Sequence, residues 1–248
     1  MNFPFYNWTP KNFGNLQLWL EAARGITIGT GVAQWDDLSG NARNAMQANG
    51  ANQPELVLNQ VNGFPVLRFN GSTSFMDNPL TLAEAFNQNG TDITIAAVFK
   101  STNSNPNENP LISTPLDDPA NSALSLFVPY SPDGDTYFDS GNEGGSRVNG
   151  ILDWDDYAVG VFTRTDGIAF NPARVYKNNA FALGGTPSGT FANGGLSLMI
   201  GAYSVASVLE GLLTGDIAEL AIWNRGLTEE EVCILSQIWG AKYNIIQA

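Results

Sequence analysis

Apolar and polar residues alternate with a period of two in a series of short stretches: Leu16 to Leu20, Glu55 to Asn59, Pro65 to Phe69, Ile93 to Phe99, Leu124 to Val128, Thr136 to Asp139, Tyr157 to Thr163, Arg174 to Lys177, Leu196 to Ile200 and Asp216 to Trp223. Gly, Pro, Asn or Asp bounds each stretch, so the pattern predicts short antiparallel strands joined by turns, packed as a sandwich. Asn62-Gly63 falls between two of the runs and predicts a tight hairpin turn, because an Asn-Gly pair accepts positive φ at both central positions. Asn178-Asn179 is expected to do the same between Tyr176 and Phe181. Apart from a short turn at Leu82 to Phe86, a helical period appears only at the C-terminus. The polar stretches Ser101 to Pro110 and Ser131 to Gly145 are too short to serve as interdomain linkers, so a single sandwich domain is expected.

The acidic segment LTGDIAELAIWNRGLTEEEV, from Leu213 to Val232, invites a catalytic reading. If Asp216 to Trp223 is a regular strand, Asp216 shares a face with Ala218, Leu220 and Ile222, and Glu219 shares the other with Ile217, Ala221 and Trp223. Glycosidase acid and base groups must flank one bond at roughly 5–9 Å, and carboxylates on opposite faces do not. Thr228 to Glu231 instead fits a capping box, with Leu227 and Val232 placed as a hydrophobic staple, so the Glu229 to Glu231 run reads as a helix start. Val232, Leu235, Ile238 and Trp239 then form an apolar helical face, with Lys242 alongside, that would pack on the sandwich.

Composition narrows the chemistry. The 248 residues carry 24 acidic against 11 basic side chains, a net charge of −13 that disfavours nucleic acid and anionic membrane partners. No apolar run approaches the roughly 20 residues of a membrane helix, and the opening residues lack the basic start and apolar stretch of a secretory leader. Cys233 is the only cysteine, which excludes an internal disulfide. Histidine is absent, which removes Ser-His-Asp hydrolysis and the commonest zinc ligand.

With a strand and a capped helix in place, GDIAELAIWNRGLTEEEV resembles the closing segment of laminin-G-like domains of the concanavalin A superfamily. LQLWLEAARGITI, VAQWDDLSGNARNAMQ, NGFPVLRFNGSTSFM, ITIAAVFK, ARVYKNNAFA and LSLMIGAY agree in order, so the resemblance runs from about Leu16 to Ile245. It implies an all-β fold, a two-sheet antiparallel jelly-roll sandwich with one C-terminal helix, one face often concave and used for ligands, and rim loops that in some members hold Ca²⁺. The expected division is an aromatic N-terminal arm over residues 1–15 and a jelly-roll domain over 16–248. Ala42, Arg43 and Asn44 stand where relatives often carry a histidine, and the Glu-x-Asp-x-Glu strand of laminarinase-type glucanases is absent, so no enzymatic activity is expected.

Candidate sites lie in the loops. Asp133, Asp135 and Asp139, with Asp117 and Asp118 nearby in sequence, supply the hard oxygens that Ca²⁺ prefers, although Asp/Gly pairs also form ordinary turns. Trp154, flanked by Asp153, Asp155 and Asp156, is expected near solvent, either offering a ring face to a sugar or folded onto the sandwich edge. Trp35 reads as packed, with Asp36 and Asp37 accepting backbone N–H bonds. Arg147, Arg164 and Arg174 read as isolated cations able to grip an acidic sugar, and Arg68 as an ion-pair partner within the sheet. Phe3, Phe5, Tyr6 and Trp8 are expected to dock on the domain or on a partner. The functional expectation is a non-enzymatic surface recognition module at a virion surface (a phage capsid decoration, fibre or tail component) with glycans or other virion proteins as partners. The alternatives are a freestanding bacterial lectin-like protein reaching the cell surface by non-classical export and, third, a glycoside hydrolase or lyase.

Overall fold

The computed structural model describes residues 8–86, 91–102, 108–115, 123–130, 133–141, 147–187 and 195–247. In chain order the strands are β1 (Leu16–Glu21), β2 (Ile26–Ile28), β3 (Val32–Trp35), β4 (Ala45–Met46), β5 (Glu55–Val61), β6 (Phe64–Asn70) and β7 (Met76–Thr81), followed by a one-turn helix α1 (Leu82–Ala85). There follow β8 (Ile93–Ser101), β9 (Pro110–Ser113), β10 (Ala123–Phe127), β11 (Asp135–Gly141), β12 (Arg147–Ile151), β13 (Ala158–Arg164), β14 (Ala173–Lys177) and β15 (Ala180–Gly185). The chain closes with β16 (Ser197–Ile200), β17 (Ala202–Val205), β18 (Val208–Leu212), β19 (Thr214–Trp223) and the helix α2 (Glu229–Tyr243). No helix among the described residues is long and apolar enough to cross a membrane.

Two antiparallel sheets face each other. One has eight strands in the order β15-β14-β13-β8-β19-β6-β5, with β1 also pairing β19; the other has nine in the order β12-β11-β10-β9-β16-β7-β4-β3-β2. β17 and β18 form a separate hairpin. Side chains from both inner faces fill the gap, among them Leu20, Leu67 and Phe99 from the first sheet and Trp35, Ile112 and Phe138 from the second. Asn62-Gly63 turns β5 into β6 with φ of 46° and 80°, and Asn178-Asn179 turns β14 into β15 with φ of 50° and 71°. Both are the positive-φ hairpins that their sequences predict.

The outer face of the eight-stranded sheet is a second apolar layer. Trp19, Val66, Val98, Val161, Ala221 and Trp223 meet Val232, Leu235, Trp239 and Tyr243 of α2. This explains why β8 reads ITIAAVF with every residue buried: it is covered on both sides. The capping box forms as expected, the Thr228 hydroxyl accepting from the Glu231 N–H at 3.3 Å and Glu231 accepting from the Thr228 N–H at 2.9 Å. Ahead of β1, Phe13 packs edge-on against Trp223 and Trp8 against Phe13, so the end of the N-terminal arm docks on its own domain. Phe3, Phe5 and Tyr6 lie outside the described residues.

β19 departs from regular alternation. Its register against β8 slips between Ile217↔Phe99 and Glu219↔Val98, a bulge at Ala218. Ile217, Leu220 and Ile222 point into the core, whereas Ala218, Ala221 and Trp223 face α2. The expectation that Asp216 and Glu219 face opposite sides is therefore corrected, because the extra residue resets the parity and both reach the outer face. Asp216 accepts from Arg68 Nε at 2.7 Å, from Arg68 Nη2 at 2.8 Å and from the Tyr157 hydroxyl at 2.6 Å, with Lys100 at 3.5 Å. Glu219 accepts from Trp19 Nε1 at 2.7 Å and from Lys242 Nζ and the Tyr243 hydroxyl at 2.8 Å each. Both carboxylates are buried and taken up by these partners, so they hold the sheet and the helix together.

Candidate binding face

The loop expected to carry a sugar platform is turned inside out. Trp154 is only 2% exposed, while Asp153, Asp155 and Asp156 on either side of it are exposed. Its ring lies 4.7 Å from Phe99 and 6.0 Å from Phe162 between centroids, and its N–H donates to the Thr136 hydroxyl at 2.7 Å. Burying an indole is worth on the order of 5 kcal/mol, and Asp153 accepts the Asp155 N–H at 2.8 Å to make the turn that allows it. Trp154 is thus a core residue beneath a hollow of about 210 Å³ that Asp153 and Asp155 also line, and it presents no free ring face.

The calcium expectation fails on geometry. Asp135 and Asp139 sit on one face of β11, four residues or roughly 13 Å apart along the strand, whereas Ca²⁺ ligands must converge at about 2.3–2.6 Å from one ion. Each is already used: Asp139 is fully buried in a bidentate pair with Arg147 at 2.8 and 2.7 Å, Asp135 accepts from Asn149 at 2.6 Å, and Asp133 accepts from the Tyr137 hydroxyl and the Asp135 N–H. The bond from Tyr137 holds the Asp133 carboxyl below its ordinary pKa despite some desolvation, and pushes the Tyr137 hydroxyl up to about 12. No group of three or more His, Cys, Asp or Glu among the described residues is placed to hold a metal ion; Asp117 and Asp118 lie outside them. The three arginines are paired as well, Arg147 with Asp139, Arg164 with Asp166 and Arg174 with Glu229. Arg68 pairs with Asp216 as expected, and Asp37 accepts the Trp19, Ser39 and Arg43 N–H groups beside a fully buried Trp35.

What the register does bring together is a row across the nine-stranded sheet. Pair by pair the partners run Thr27↔Gln34, Gln34↔Met46, Met46↔Asp77, Asp77↔Met199, Met199↔Ser113, Ser113↔Ser125, Ser125↔Asp139 and Asp139↔Arg147. Their chain neighbours Trp35, Ala45, Met76, Ile112, Leu124, Phe138 and Val148 point into the core, so this polar row lies on the outer face. Half of it is covered: Met199, Ser113, Ser125 and Asp139 are buried, with Ser113 donating to the Ala202 carbonyl at 2.7 Å and Ser204 bonding to Met199 at 3.7 Å from the β17–β18 hairpin. Phe127, Tyr130, Tyr137 and Tyr203 form an aromatic cluster at that end, Tyr130 stacked on Tyr137 at 4.5 Å. The other half, Thr27, Met46 and Asp77 with a half-buried Gln34, opens to solvent.

Asp77 is the chemically distinctive member. Its carboxylate makes no hydrogen bond or ion pair among the described residues, and desolvation raises its pKa, consistent with the two thioethers that flank it. The row's other carboxylate, Asp139, is four strands away, roughly 19 Å, far beyond the separation of about 5–9.5 Å of glycosidase pairs. Sequence reasoning missed Gln34, Met46 and Asp77 because each is unremarkable where it stands, and only strand pairing makes them neighbours.

Two opposed antiparallel sheets, one open on its outer face and one clasped by a C-terminal helix, define a lectin-type sandwich. A family model described as the concanavalin A-like lectin/glucanases superfamily matches residues 70–233, more than half of the chain, and the protein belongs to this family. No curated protein sequence matches. Among solved structures, the chain is similar to Trypanosoma rangeli sialidase in complex with sialic acid, at 18% identity and a TM-score of 0.61, with 90% of this chain and 32% of the sialidase covered. It is equally similar to domain 4 of AbnA, a GH43 extracellular arabinanase from Geobacillus stearothermophilus, in complex with arabinotriose, at 18% identity and a TM-score of 0.61, with 90% of this chain and 98% of that domain covered. The chain spans about a third of the length of the sialidases it matches. Likeness at this identity is likeness of fold.

Proposed function

We propose that the protein is a non-enzymatic carbohydrate-recognition module, binding saccharide on the open half of the nine-stranded sheet's outer face. The observation that carries this reading is the asymmetry of the two outer faces. One is apolar and sealed by α2, while the other presents an in-register row of Gln34, Met46 and Asp77 with no helix of the described residues upon it. Amide and carboxylate groups match sugar hydroxyls, and the exposed Met46 thioether supplies apolar contact with C–H groups. The complex of the similar arabinanase domain with arabinotriose lends the reading support by analogy of fold.

Isothermal titration against glycans selected on an array tests it. Gln34→Ala and Asp77→Ala are expected to weaken binding about tenfold each; stability stays within about 0.5 kcal/mol for the exposed Asp77 and falls by about 1 kcal/mol for the half-buried Gln34, whose carboxamide also donates to Asp36 at 2.6 Å. Absence of binding to any glycan, or binding indifferent to both substitutions, removes the site; release of reducing ends from a bound polysaccharide removes the non-enzymatic part. The virion setting belongs to the same proposal, and its check is whether the chain co-purifies with phage particles.

A further inference from the structure

On the opposite side of the molecule, where α2 begins, a cleft of about 460 Å³ lies between the β14–β15 hairpin, the loop before β14 and the first turns of the helix. We propose that it is a second, independent saccharide site, selective for neutral sugars. Its rings are the first argument. Phe170 is 76% exposed and Phe181 54% exposed, an unfavourable placement for two phenyl groups in a chain that buries most of its other large apolar side chains. Phe181 stands edge-on to Tyr176 at 5.9 Å, which fixes its plane.

The second argument is how firmly the loop is held. Arg174 donates Nε to the Asn171 carbonyl at 2.9 Å, Nη2 to the Phe170 carbonyl at 3.4 Å and Nη1 to Glu229 at 2.5 Å, tying the loop to the helix. Asn171 is held at φ 49°, and Gly184 lets its carboxamide approach, since a Cβ at residue 184 would meet Asn171 Nδ2 at 2.7 Å and the Phe181 ring at 2.9 Å. A fixed backbone at Phe170 and a fixed ring at Phe181 suit stacking, because ordering them on binding then costs little.

The third argument concerns chemistry. The Asn171 carboxamide has no partner among the described residues, and Glu229, 74% exposed, uses one carboxylate oxygen on Arg174 and leaves the other open. Donor and acceptor beside two aromatic faces suit a pyranose or furanose, whose hydroxyls both give and take hydrogen bonds while its C–H face stacks. Charge selects against acidic sugars, since Glu229 already matches Arg174 and the net charge of −13 repels anions.

Amide chemical shifts recorded while cellotriose, arabinotriose and trigalacturonate are titrated into the whole protein provide the test, with Phe170→Ala, Phe181→Ala and Asp77→Ala run beside the wild type. The expected result is saturable shifts at Phe170, Asn171, Phe181 and Glu229 with a neutral trisaccharide. Binding there should fall at least tenfold in either phenylalanine variant and remain unchanged in Asp77→Ala. Cys233 lines the cleft, so its alkylation by iodoacetamide should slow when the site fills. Shifts confined to Gln34, Met46 and Asp77 would overturn the cleft and leave the first site standing. Shifts at the cleft alone would do the reverse, and no shift with either neutral sugar, or tighter binding of trigalacturonate at the cleft, overturns this proposal.

Discussion

Trp154 shows how far one residue can be read from its neighbours. Three aspartates around an indole suggest a wet platform, yet the large apolar surface of the ring outweighs the polarity of the flanking residues, which need only point the other way. Trp154→Ala is accordingly expected to cost about 3–5 kcal/mol in urea denaturation, with saccharide affinity unaltered in the folded fraction. A variant as stable as the wild type would return the indole to the surface. Asp216 is the second case. Burial opposes its ionisation, but hydrogen bonds from Arg68 and Tyr157 prevail and hold its pKa below the ordinary carboxylate value. A carboxylate whose folded-state pKa is depressed stabilises the fold above its unfolded pKa of about 3.9, and that contribution drains away as pH falls through the folded value. Asp216→Asn should therefore cost roughly 3 kcal/mol at pH 7 and flatten the loss of stability between pH 5 and pH 3, measured as urea midpoints across that range. An equal acid slope in both proteins would assign the effect elsewhere.

Elements were legible where they were long. β5, β6, β8, β13 and β19 announced themselves by alternation, and the two Asn-led hairpins by turn chemistry. β2, β3 and β4 span two to four residues each, too few to show a period, and β7 contains Pro79, which argues against a strand unless the sheet tolerates a missing donor there. The bulge in β19 left no mark in the sequence, because Ala218 fits either face, and this is why an alternation argument misplaced Glu219. Of the candidate face, nothing was legible: Gln34, Met46 and Asp77 come from three strands separated by loops, and register alone assembles them. The helix start, by contrast, was readable in full because capping is local. Thr228→Ala is expected to cost about 1 kcal/mol, seen as a lower melting temperature, with Thr228→Ser close to the wild type. Equal melting of the Ala and Ser variants would mean that the cap contributes nothing.

At the scale of the molecule, the two sheets do different work. The eight-stranded one is sealed on both faces at its central strands and acts as scaffold, while the nine-stranded one keeps a polar outer surface that exposes Met46 and Asp77. The strand that organises the scaffold is β19, which pairs β8 along one side and β6 and β1 along the other. Residues 214–223 thus join strands made earlier, β1 among them, to a partner made about two hundred residues later. Until that partner leaves the ribosome, β8 and β6 have no common neighbour, and the nascent chain carries unpaired, apolar strand edges of the kind that recruit chaperones or other copies. A chain arrested before Thr214 should therefore be protease-sensitive and sticky throughout, and one extended beyond Tyr243 resistant, so that this domain folds only once β19 and the helix behind it have been made.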